Sequence, residues 1–155
     1  MMKAEGMSSG VEDGRQRERL VERGIGATAE SRAQLLARGI GIPGGWNVKD
    51  KWNLLHVSLE NTRVSYHGAG KTDIDAAAVR ADCAVPTVGC AVYYFEVKVI
   101  SAGQSGYIGI GLCAPNVNLN RLPGWERQSF GYHGDDGYAF RESGTGVAYG
   151  PPYTT

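Results

Sequence analysis

Apolar and polar residues alternate along much of the chain from Trp46 onward, whereas residues 1–45 show no such pattern. A period of two is typical of β-strands, whose successive side chains point to opposite faces of a sheet. Leu55, Val57 and Leu59 alternate with Leu54, His56 and Ser58, and Glu60-Asn61 is suited to a turn. The residues 63–66 are then expected to return as a partner strand. This pattern predicts an antiparallel hairpin.

The strongest alternating stretch runs from Ala91 to Ile100. One of its faces is apolar and the other is mixed, which is typical of a strand in a sheet that packs on one side only. The apolar face contains Tyr93, Phe95, Val97 and Val99. We therefore expect a strand over this whole stretch.

Further strands are predicted nearer the end of the chain. Tyr107 to Cys113 alternates large apolar residues with glycine. Phe130–Tyr132 and Tyr138–Phe140 flank the turn-forming stretch Gly134–Gly137. Together these elements predict an all-β fold, an antiparallel β-sandwich.

Residues 1–45 contain no aromatic residue, and all 14 aromatic residues lie in 46–155. Aromatic side chains bury the largest areas, so the core is expected in 46–155 and a mostly disordered or weakly helical tail in 1–45. Two weak helices are predicted in this tail. The first spans Gln16 to Arg23, and the second includes Ala29 to Leu36, with Thr28 as N-cap and Gly39 just after its end.

Charge and cysteine content narrow the classes of function. The chain has 16 basic and 16 acidic residues, without the basic excess of a duplex-binding surface. The sequence shows no run long and apolar enough to span a membrane and no signal-peptide pattern at its start. The spacing of its three cysteines matches neither a metal-binding motif nor a disulfide framework, so we expect reduced, mostly buried thiols. These features favour a protein of the cytoplasm or nucleus that binds neither nucleic acid nor membrane.

One segment resembles part of a phosphate-binding loop. Gly68 to Thr72 reads Gly-Ala-Gly-Lys-Thr, and Thr72 to Ala81 is compatible with a helix after it. The full motif needs glycine where Ser65 stands. Nucleotide or phosphate binding through Gly68–Thr72 is therefore kept as an alternative function, against a plain glycine-rich connection.

Other constellations indicate no catalysis. Gly109 to Ala114 fits a dinucleotide fingerprint, but Pro115 follows where that fingerprint needs a helix. His133 with Asp135 and Asp136 is better explained as a turn than as a metal site. We predict no catalytic, cofactor-binding or metal-binding residues.

The loop Ala114 to Glu126 has the composition of a protein-contact site. Asn118 and Arg121 offer donors and acceptors for a partner, while Trp125 supplies a large apolar surface. Folding of the loop back onto the core is the competing interpretation. We favour surface contact for Asn118 and Arg121 and a place in the core for Trp125.

Several longer motifs resemble the SPRY (B30.2) domain family, and within it the Ran-binding protein M branch. They lie between Trp46 and Thr155 and comprise Trp46–Lys51, Val79–Ala81, Tyr93–Lys98, Gly106–Gly111, Asn118–Trp125, Gly131–Gly137, Ser143–Gly146 and Tyr149–Pro151. The resemblance implies a bent β-sandwich that binds short peptide segments with loops at one rim. It also implies a scaffold or substrate-recruiting role in a CTLH (GID) ubiquitin ligase.

Matched by position, the resemblance places one contact loop at 67–71 and a second at 118–123, with Arg80 supporting the same rim. The implied partner-binding residues are His67, Gly68, Lys71, Arg80, Asn118, Arg121, Leu122 and Pro123. Strands expected after Thr155 in this family are missing from the sequence. The chain is therefore expected to be a partial SPRY domain over 46–155, and a nonfunctional truncated product is a further alternative.

Overall fold

The computed structural model describes residues 29–58, 60–90 and 92–155; the helix predicted over Gln16–Arg23 lies outside these ranges. The described residues fall into two compact units. The first contains the residues up to Pro43 together with Ala84–Glu96, and the second contains Gly44–Cys83 together with Val97–Thr155. All strands of the described part belong to the second unit.

The first unit contains the helix α1, Ala29–Ala37. Gly39 follows it with a φ of +71°. The N–H of Gly39 donates to Leu36 O at 2.9 Å, and that of Ile40 donates to Leu35 O at 2.9 Å. This pair of bonds is a Schellman C-cap, which favours glycine because the left-handed backbone strains other residues. The predicted second helix and its glycine terminator are confirmed.

Leu35 is only 4% exposed and packs against Ile40, Ile42 and Cys90. Leu35 is thus a buried apolar residue outside 46–155, in addition to Leu55, Val57 and Phe140, which lie within that range as expected. The cap itself explains the cluster, because it turns Ile40 back against the last turn of the helix.

Two small antiparallel sheets lie in the first half of the second unit. They are formed by β1 (Trp46–Lys51) with β4 (Val79–Ala81), and by β2 (Leu55–Val57) with β3 (Val64–Tyr66). Asn61 turns the chain between β2 and β3 with a φ of +55°. The predicted hairpin is confirmed, and Leu55 and Val57 are both buried.

The helix considered over Thr72 to Ala81 does not form. This stretch contains one 3₁₀ turn, Asp73–Asp75, and then β4. A single turn ends here because Ala76 already has an extended backbone, with ψ at 143°.

The largest sheet has four antiparallel strands in the order β5-β6-β7-β8. Their bounds are β5 Gly109–Cys113, β6 Ser129–His133, β7 Tyr138–Arg141 and β8 Val147–Ala148. A turn that ends at Gly137, with a φ of +73°, joins β6 to β7. The predicted strands of this region and the Gly134–Gly137 turn are confirmed.

One face of this sheet is buried. Ser129, His133 and Phe140 are exposed by 1%, 4% and 8%, respectively. The opposite face contains Leu112, Phe130 and Arg141, which lie side by side in the register of β5, β6 and β7. This one-sided packing is typical of an antiparallel sheet, and the predicted all-β antiparallel class is confirmed.

The strand predicted over Ala91 to Ile100 is wrong: residues 92–100 belong to no strand, and Ala91 is outside the described residues. Val92 and Ile100 are 62% and 68% exposed. The alternation of apolar and polar residues determines which side chains lie on the same face of an extended chain. A strand also needs a neighbouring strand with which to form backbone hydrogen bonds.

Candidate partner-binding site

The two predicted contact loops both lie in the second unit. We call residues 67–72 the Gly68 loop and residues 116–123 the Asn118 loop. The Gly68 loop follows β3 directly, and the N–H of His67 still donates to Leu54 O at 2.8 Å. The His67 ring is exposed and meets the His56 ring edge to face, with 6.1 Å between their centroids.

The Gly68 loop folds tightly around Tyr66 and Asp75. The Tyr66 hydroxyl donates to Asp75 O at 2.9 Å, and a Cβ on Gly68 would overlap the Tyr66 ring. A side chain at this position would therefore displace the Tyr66 ring. One carboxylate oxygen of Asp75 accepts hydrogen bonds from the N–H groups of Lys71 and Thr72, at 2.8 and 3.2 Å.

This geometry argues against the phosphate-binding alternative for Gly68–Thr72. A phosphate-binding loop offers its free N–H groups to the anion at the start of a helix. Here the N–H groups of Lys71 and Thr72 already bind a carboxylate, and a three-residue 3₁₀ turn stands in place of the helix. The negative charge of Asp75 also lies where the phosphate would have to bind.

Arg80 lies on β4 and points inward. Its guanidinium donates to both carboxylate oxygens of Asp50 on β1, at 2.6 and 2.9 Å. The same group donates to Val117 O at 3.0 Å and to Ala114 O at 3.4 Å. Arg80 therefore fastens the start of the second loop region to the β1–β4 sheet.

Electrostatics agree with this fastening role. The hydrogen bond from Arg80, helped by its charge, holds the pKa of Asp50 below the ordinary value of 3.8. The same hydrogen bond is the main cause of the raised pKa of Arg80. The side chain of Arg80 is only 19% exposed, so it stabilises the site from the interior of the protein.

Asn120 links the Asn118 loop to the segment 74–76, which follows the Gly68 loop. Its side-chain amide donates to Ile74 O at 2.9 Å and to Ala76 O at 2.6 Å. The backbone contributes a further bond, from the N–H of Ala78 to Leu119 O at 2.7 Å. Because Asp75 holds the Gly68 loop from the same 74–76 segment, these bonds place both loops against one stretch of chain.

The remaining predicted residues of the Asn118 loop differ in exposure. Asn118 is exposed, and its Oδ1 accepts the N–H of Asn120 at 2.9 Å. Arg121 donates to Glu126 Oε1 at 3.2 Å, with its guanidinium carbon 5.6 Å from the centre of the Trp125 ring. Leu122 is half-buried. Asn118 and Arg121 are therefore the members of this loop best placed for contact.

Pro123 is a structural residue. Its carbonyl oxygen accepts a hydrogen bond from His133 Nε2 at 2.8 Å, which requires the proton to be on that nitrogen. A Cβ on Gly131 would overlap the same oxygen. The Ser129 hydroxyl completes the junction, accepting from the N–H of Gly124 at 3.1 Å and donating to Glu126 O at 2.6 Å.

Trp125 is half-buried above this junction, 6.1 Å from the His133 ring, and its Nε1 is shielded from solvent. The expected place of Trp125 in the core is found only in part, because the ring packs beside His133 but the residue stays half-buried. The indole N–H has no hydrogen-bond acceptor within the described residues.

His133 and its neighbours act as scaffold. The His133 ring stacks on Phe140 with 4.0 Å between centroids, and Asp136 accepts the N–H of Tyr138 at 2.8 Å. Across the described ranges, no group of three or more His, Cys, Asp or Glu residues could hold a metal ion. No helix in the described part of the chain is long and apolar enough to cross a membrane.

The cysteines are free thiols, as expected, but they are less buried than predicted. Cys83 and Cys90 are half-buried and Cys113 is exposed. Cys113 ends the edge strand β5, where only one neighbouring strand covers it.

Asn120, Ile74 and Asp75 are the site residues that the sequence prediction did not select. Ile74 is 78% exposed on the 3₁₀ turn between the loops. The alternating asparagines at 116, 118 and 120 were the available signal for Asn120. Only the fold shows that Asn120 is the one that bonds to Ile74 O and Ala76 O, beside the Gly68 loop.

This chain is similar to known proteins over about three quarters of its length. The SPRY domain profile matches residues 92–155. Ran-binding protein 9 of Danio rerio is 57% identical over 114 residues, or 74% of this chain and 19% of the relative. Ran-binding protein 9 of Homo sapiens is 55% identical over 114 residues, covering 74% of this chain and 16% of the relative.

A plant relative is more distant. The Ran-binding protein M homolog of Arabidopsis thaliana is 40% identical over 100 residues, covering 64% of this chain and 21% of the relative. The chain thus spans about a fifth of the length of these relatives.

Proposed function

Because this chain belongs to the SPRY-domain family through residues 92–155, we propose that it is a protein-interaction module whose Gly68 and Asn118 loops bind a short peptide segment. The observation that supports this most is the Asn120 amide, which ties the Asn118 loop to Ile74 and Ala76. A binding site built from two loops must be held in one arrangement before the partner arrives, since ordering loops on binding costs affinity.

The exposed side chains suggest the chemistry of the peptide. Lys71 and Arg121 are cationic, and Ile74 presents an apolar surface between the loops. We expect a peptide with an acidic residue for a cation and an apolar residue for Ile74. Asn118 offers an amide for the peptide backbone, and polar groups of this kind set orientation and specificity.

A peptide-display selection against the full 155-residue chain tests the proposal. Selected peptides should bind the wild type and lose about tenfold or more in affinity to the Asn118→Ala/Arg121→Ala variant, because each lost contact is worth about 1 kcal/mol. Asn53→Ala/Arg127→Ala is the matched control, since both residues are exposed and lie outside the two loops.

Thermal unfolding of both variants checks that each remains folded. Equal peptide affinity for the wild type and a folded Asn118→Ala/Arg121→Ala variant would refute the site. An equal loss in the control variant would refute it too, since the effect would not be confined to the loops.

We also propose a cellular role, in which this module recruits a partner or substrate for a CTLH (GID)-type ubiquitin ligase in the cytoplasm or nucleus. Similarity to Ran-binding proteins 9 and 10 over 74% of the chain supports it. Affinity purification of the tagged chain should recover ligase subunits or their substrates, and the double loop variant should recover less. Recovery that is equal for both would argue against recruitment through this site.

A further inference from the structure

Thr72 ends the Gly68 loop with an exposed side chain. Its backbone is extended, with φ at −146° and ψ at 166°, and the 3₁₀ turn Asp73–Asp75 begins directly after it. Carboxylates therefore follow the Thr72 hydroxyl at the first and third positions along the chain. Protein kinases distinguish their substrates by charge pattern, so this hydroxyl suits a kinase whose substrate-binding surface is basic.

The turn that follows Thr72 is lightly held. Two backbone bonds lie within it, from the N–H of Asp75 to Thr72 O at 2.9 Å and from the N–H of Ala76 to Asp73 O at 3.1 Å. None of its three residues is buried, and Ile74 is 78% exposed. Segments with few buried contacts open locally at small cost, so an enzyme that binds an extended substrate can reach the hydroxyl.

A phosphate on Thr72 would lie beside the carboxylate that shapes the loop. One carboxylate oxygen of Asp75 accepts the N–H groups of Lys71 and Thr72, at 2.8 and 3.2 Å. Phosphothreonine carries a charge of about −1.5 to −2 at neutral pH. Since like charges repel at this short range, the phosphate would weaken the two hydrogen bonds that hold the end of the Gly68 loop.

The same charge would change the chemistry of the proposed peptide site. Lys71 directly precedes Thr72, is exposed, and is one of the cations assigned above to an acidic residue of the peptide. A phosphate beside Lys71 pairs with its ammonium group and repels the acidic residue. The electrostatic effect on the peptide and the loosening of the loop therefore both weaken binding.

We propose that Thr72 is a phosphorylation site for an acidophilic protein kinase, and that its phosphorylation releases the peptide from the Gly68 loop. The second part rests on the function proposed above. In the reaction, a bond forms between Thr72 Oγ1 and the γ-phosphorus of ATP while the bond from that phosphorus to ADP breaks. ADP leaves, and the hydroxyl proton passes to the catalytic aspartate of the kinase.

Phosphorylation of the folded 155-residue chain is the first test. The chain is incubated with ATP, Mg²⁺ and the acidophilic enzyme casein kinase 2, and mass spectrometry locates the phosphate. Thr72 should be modified, and Asp73→Asn/Asp75→Asn should slow its modification about tenfold or more. Thr62 is the matched control and should stay unmodified, because it is exposed in the same unit but is followed by Arg63.

Peptide affinity is the second readout, measured with a peptide obtained by display against the unmodified chain. Phosphorylation of the wild type should lower the affinity about tenfold, and a protein phosphatase should restore it. Kinase treatment of Thr72→Val should not alter the affinity of that variant. This comparison corrects for phosphate added elsewhere in the chain.

Nuclear magnetic resonance of the ¹⁵N-labelled chain gives a readout that needs no peptide. The amide signals of Lys71 and Thr72 should move on phosphorylation, because their bonds to Asp75 weaken. The amide signals of β6 should stay in place.

These readouts separate failure of the phosphorylation site from failure of the peptide site. A chain that binds no displayed peptide, yet gains the phosphate on Thr72 and the amide shifts, would refute the peptide site and support the phosphorylation site. Absence of phosphate on Thr72 would overturn the proposal, as would equal modification of Thr72 and Thr62. Peptide affinity that is unchanged or higher after modification of Thr72 would overturn the release step.

Discussion

The four-stranded sheet and the segment Val92–Ile100 both contain apolar residues at alternating positions, but their side chains meet very different surroundings. In the sheet, Phe140 stacks on His133 and is 8% exposed. In the segment, Phe95 contacts Tyr93 and is 44% exposed. The difference shows that an alternating apolar pattern contributes to stability only where a second layer covers one of its faces.

The two phenylalanines provide the sharpest test of this contrast. Phe140→Ala should lower the free energy of unfolding by about 3–4 kcal/mol, because it removes a buried ring and leaves a cavity. Phe95→Ala should cost less than about 1 kcal/mol, because its ring is nearly half in solvent. Urea denaturation at a protein concentration low enough to avoid self-association measures both. Equal losses would mean that Val92–Ile100 is packed as firmly as the sheet.

Two glycines test whether the close contact between the sheet and the Asn118 loop matters. A Cβ on Gly131 would overlap Pro123 O, whereas a Cβ on Gly144 meets nothing within 4 Å. Gly131→Ala should therefore destabilise the protein by about 2–3 kcal/mol through overpacking, and Gly144→Ala by less than about 0.5 kcal/mol. Thermal unfolding monitored by near-ultraviolet circular dichroism separates them. A harmless Gly131→Ala would show that the sheet and loop are not tightly apposed.

Substitution of Arg80 tests whether its hydrogen bonds stabilise the chain that follows β5. Arg80→Ala should cost about 2 kcal/mol, because it removes the partner of Asp50 and the donors to Val117 O and Ala114 O. Arg127→Ala, at an exposed position, should change stability by less than about 0.5 kcal/mol. Chemical denaturation of the two variants makes the comparison.

The Asp50–Arg80 pair also predicts an acid dependence. The folded pKa of Asp50 lies below its ordinary 3.8, so its contribution to stability is present above about pH 4 and lost as pH falls through the lower folded value. The stability gap between wild type and Asp50→Asn should shrink over that acid range. A gap that is constant from pH 6 to pH 2 would contradict the account.

The smallest expected difference in stability is between variants of two tyrosines. The Tyr153 hydroxyl lies 2.7 Å from Ile108 O and 2.8 Å from Tyr132 O, while the Tyr94 hydroxyl bonds to Glu96 in solvent. Tyr153→Phe should cost about 1 kcal/mol and Tyr94→Phe close to nothing. Denaturant titration of both variants checks the difference, and a larger loss for Tyr94→Phe would reverse the expected order.

Tyr153 adds a prediction at alkaline pH. Burial, with smaller contributions from Tyr132 and Asp135, raises its pKa from 10.0 to about 12. The stability contribution of its neutral form is complete below pH 10 and is lost as pH rises towards about 12. Ultraviolet titration of wild type against Tyr153→Phe should show one phenol ionising late, and the absence of a late phenol would contradict the burial of Tyr153.

Local sequence signals predicted the elements that depend on near neighbours. The hairpin around Asn61, the turn that ends at Gly137 and the helix terminator Gly39 all depend on residues a few positions apart. Neither the formation of strand β4 nor the lack of a strand over residues 92–100 could be predicted, because strand pairing depends on segments that are distant in the sequence. For the candidate site, the sequence indicated both loops. It could not show that Arg80 points inward or that the Asn120 amide reaches Ile74, since those bonds span 30 and 46 positions.

The proposed function requires that the Gly68 and Asn118 loops form one binding site. The most direct test is nuclear magnetic resonance of the ¹⁵N-labelled 155-residue chain, titrated with a peptide obtained by display. We expect amide shift changes that cluster in residues 67–76 and 116–123, and their loss in Asn120→Ala, which removes the bonds to Ile74 O and Ala76 O. Shift changes confined to Val92–Ile100 or to β8, with both loops unaffected, would contradict it.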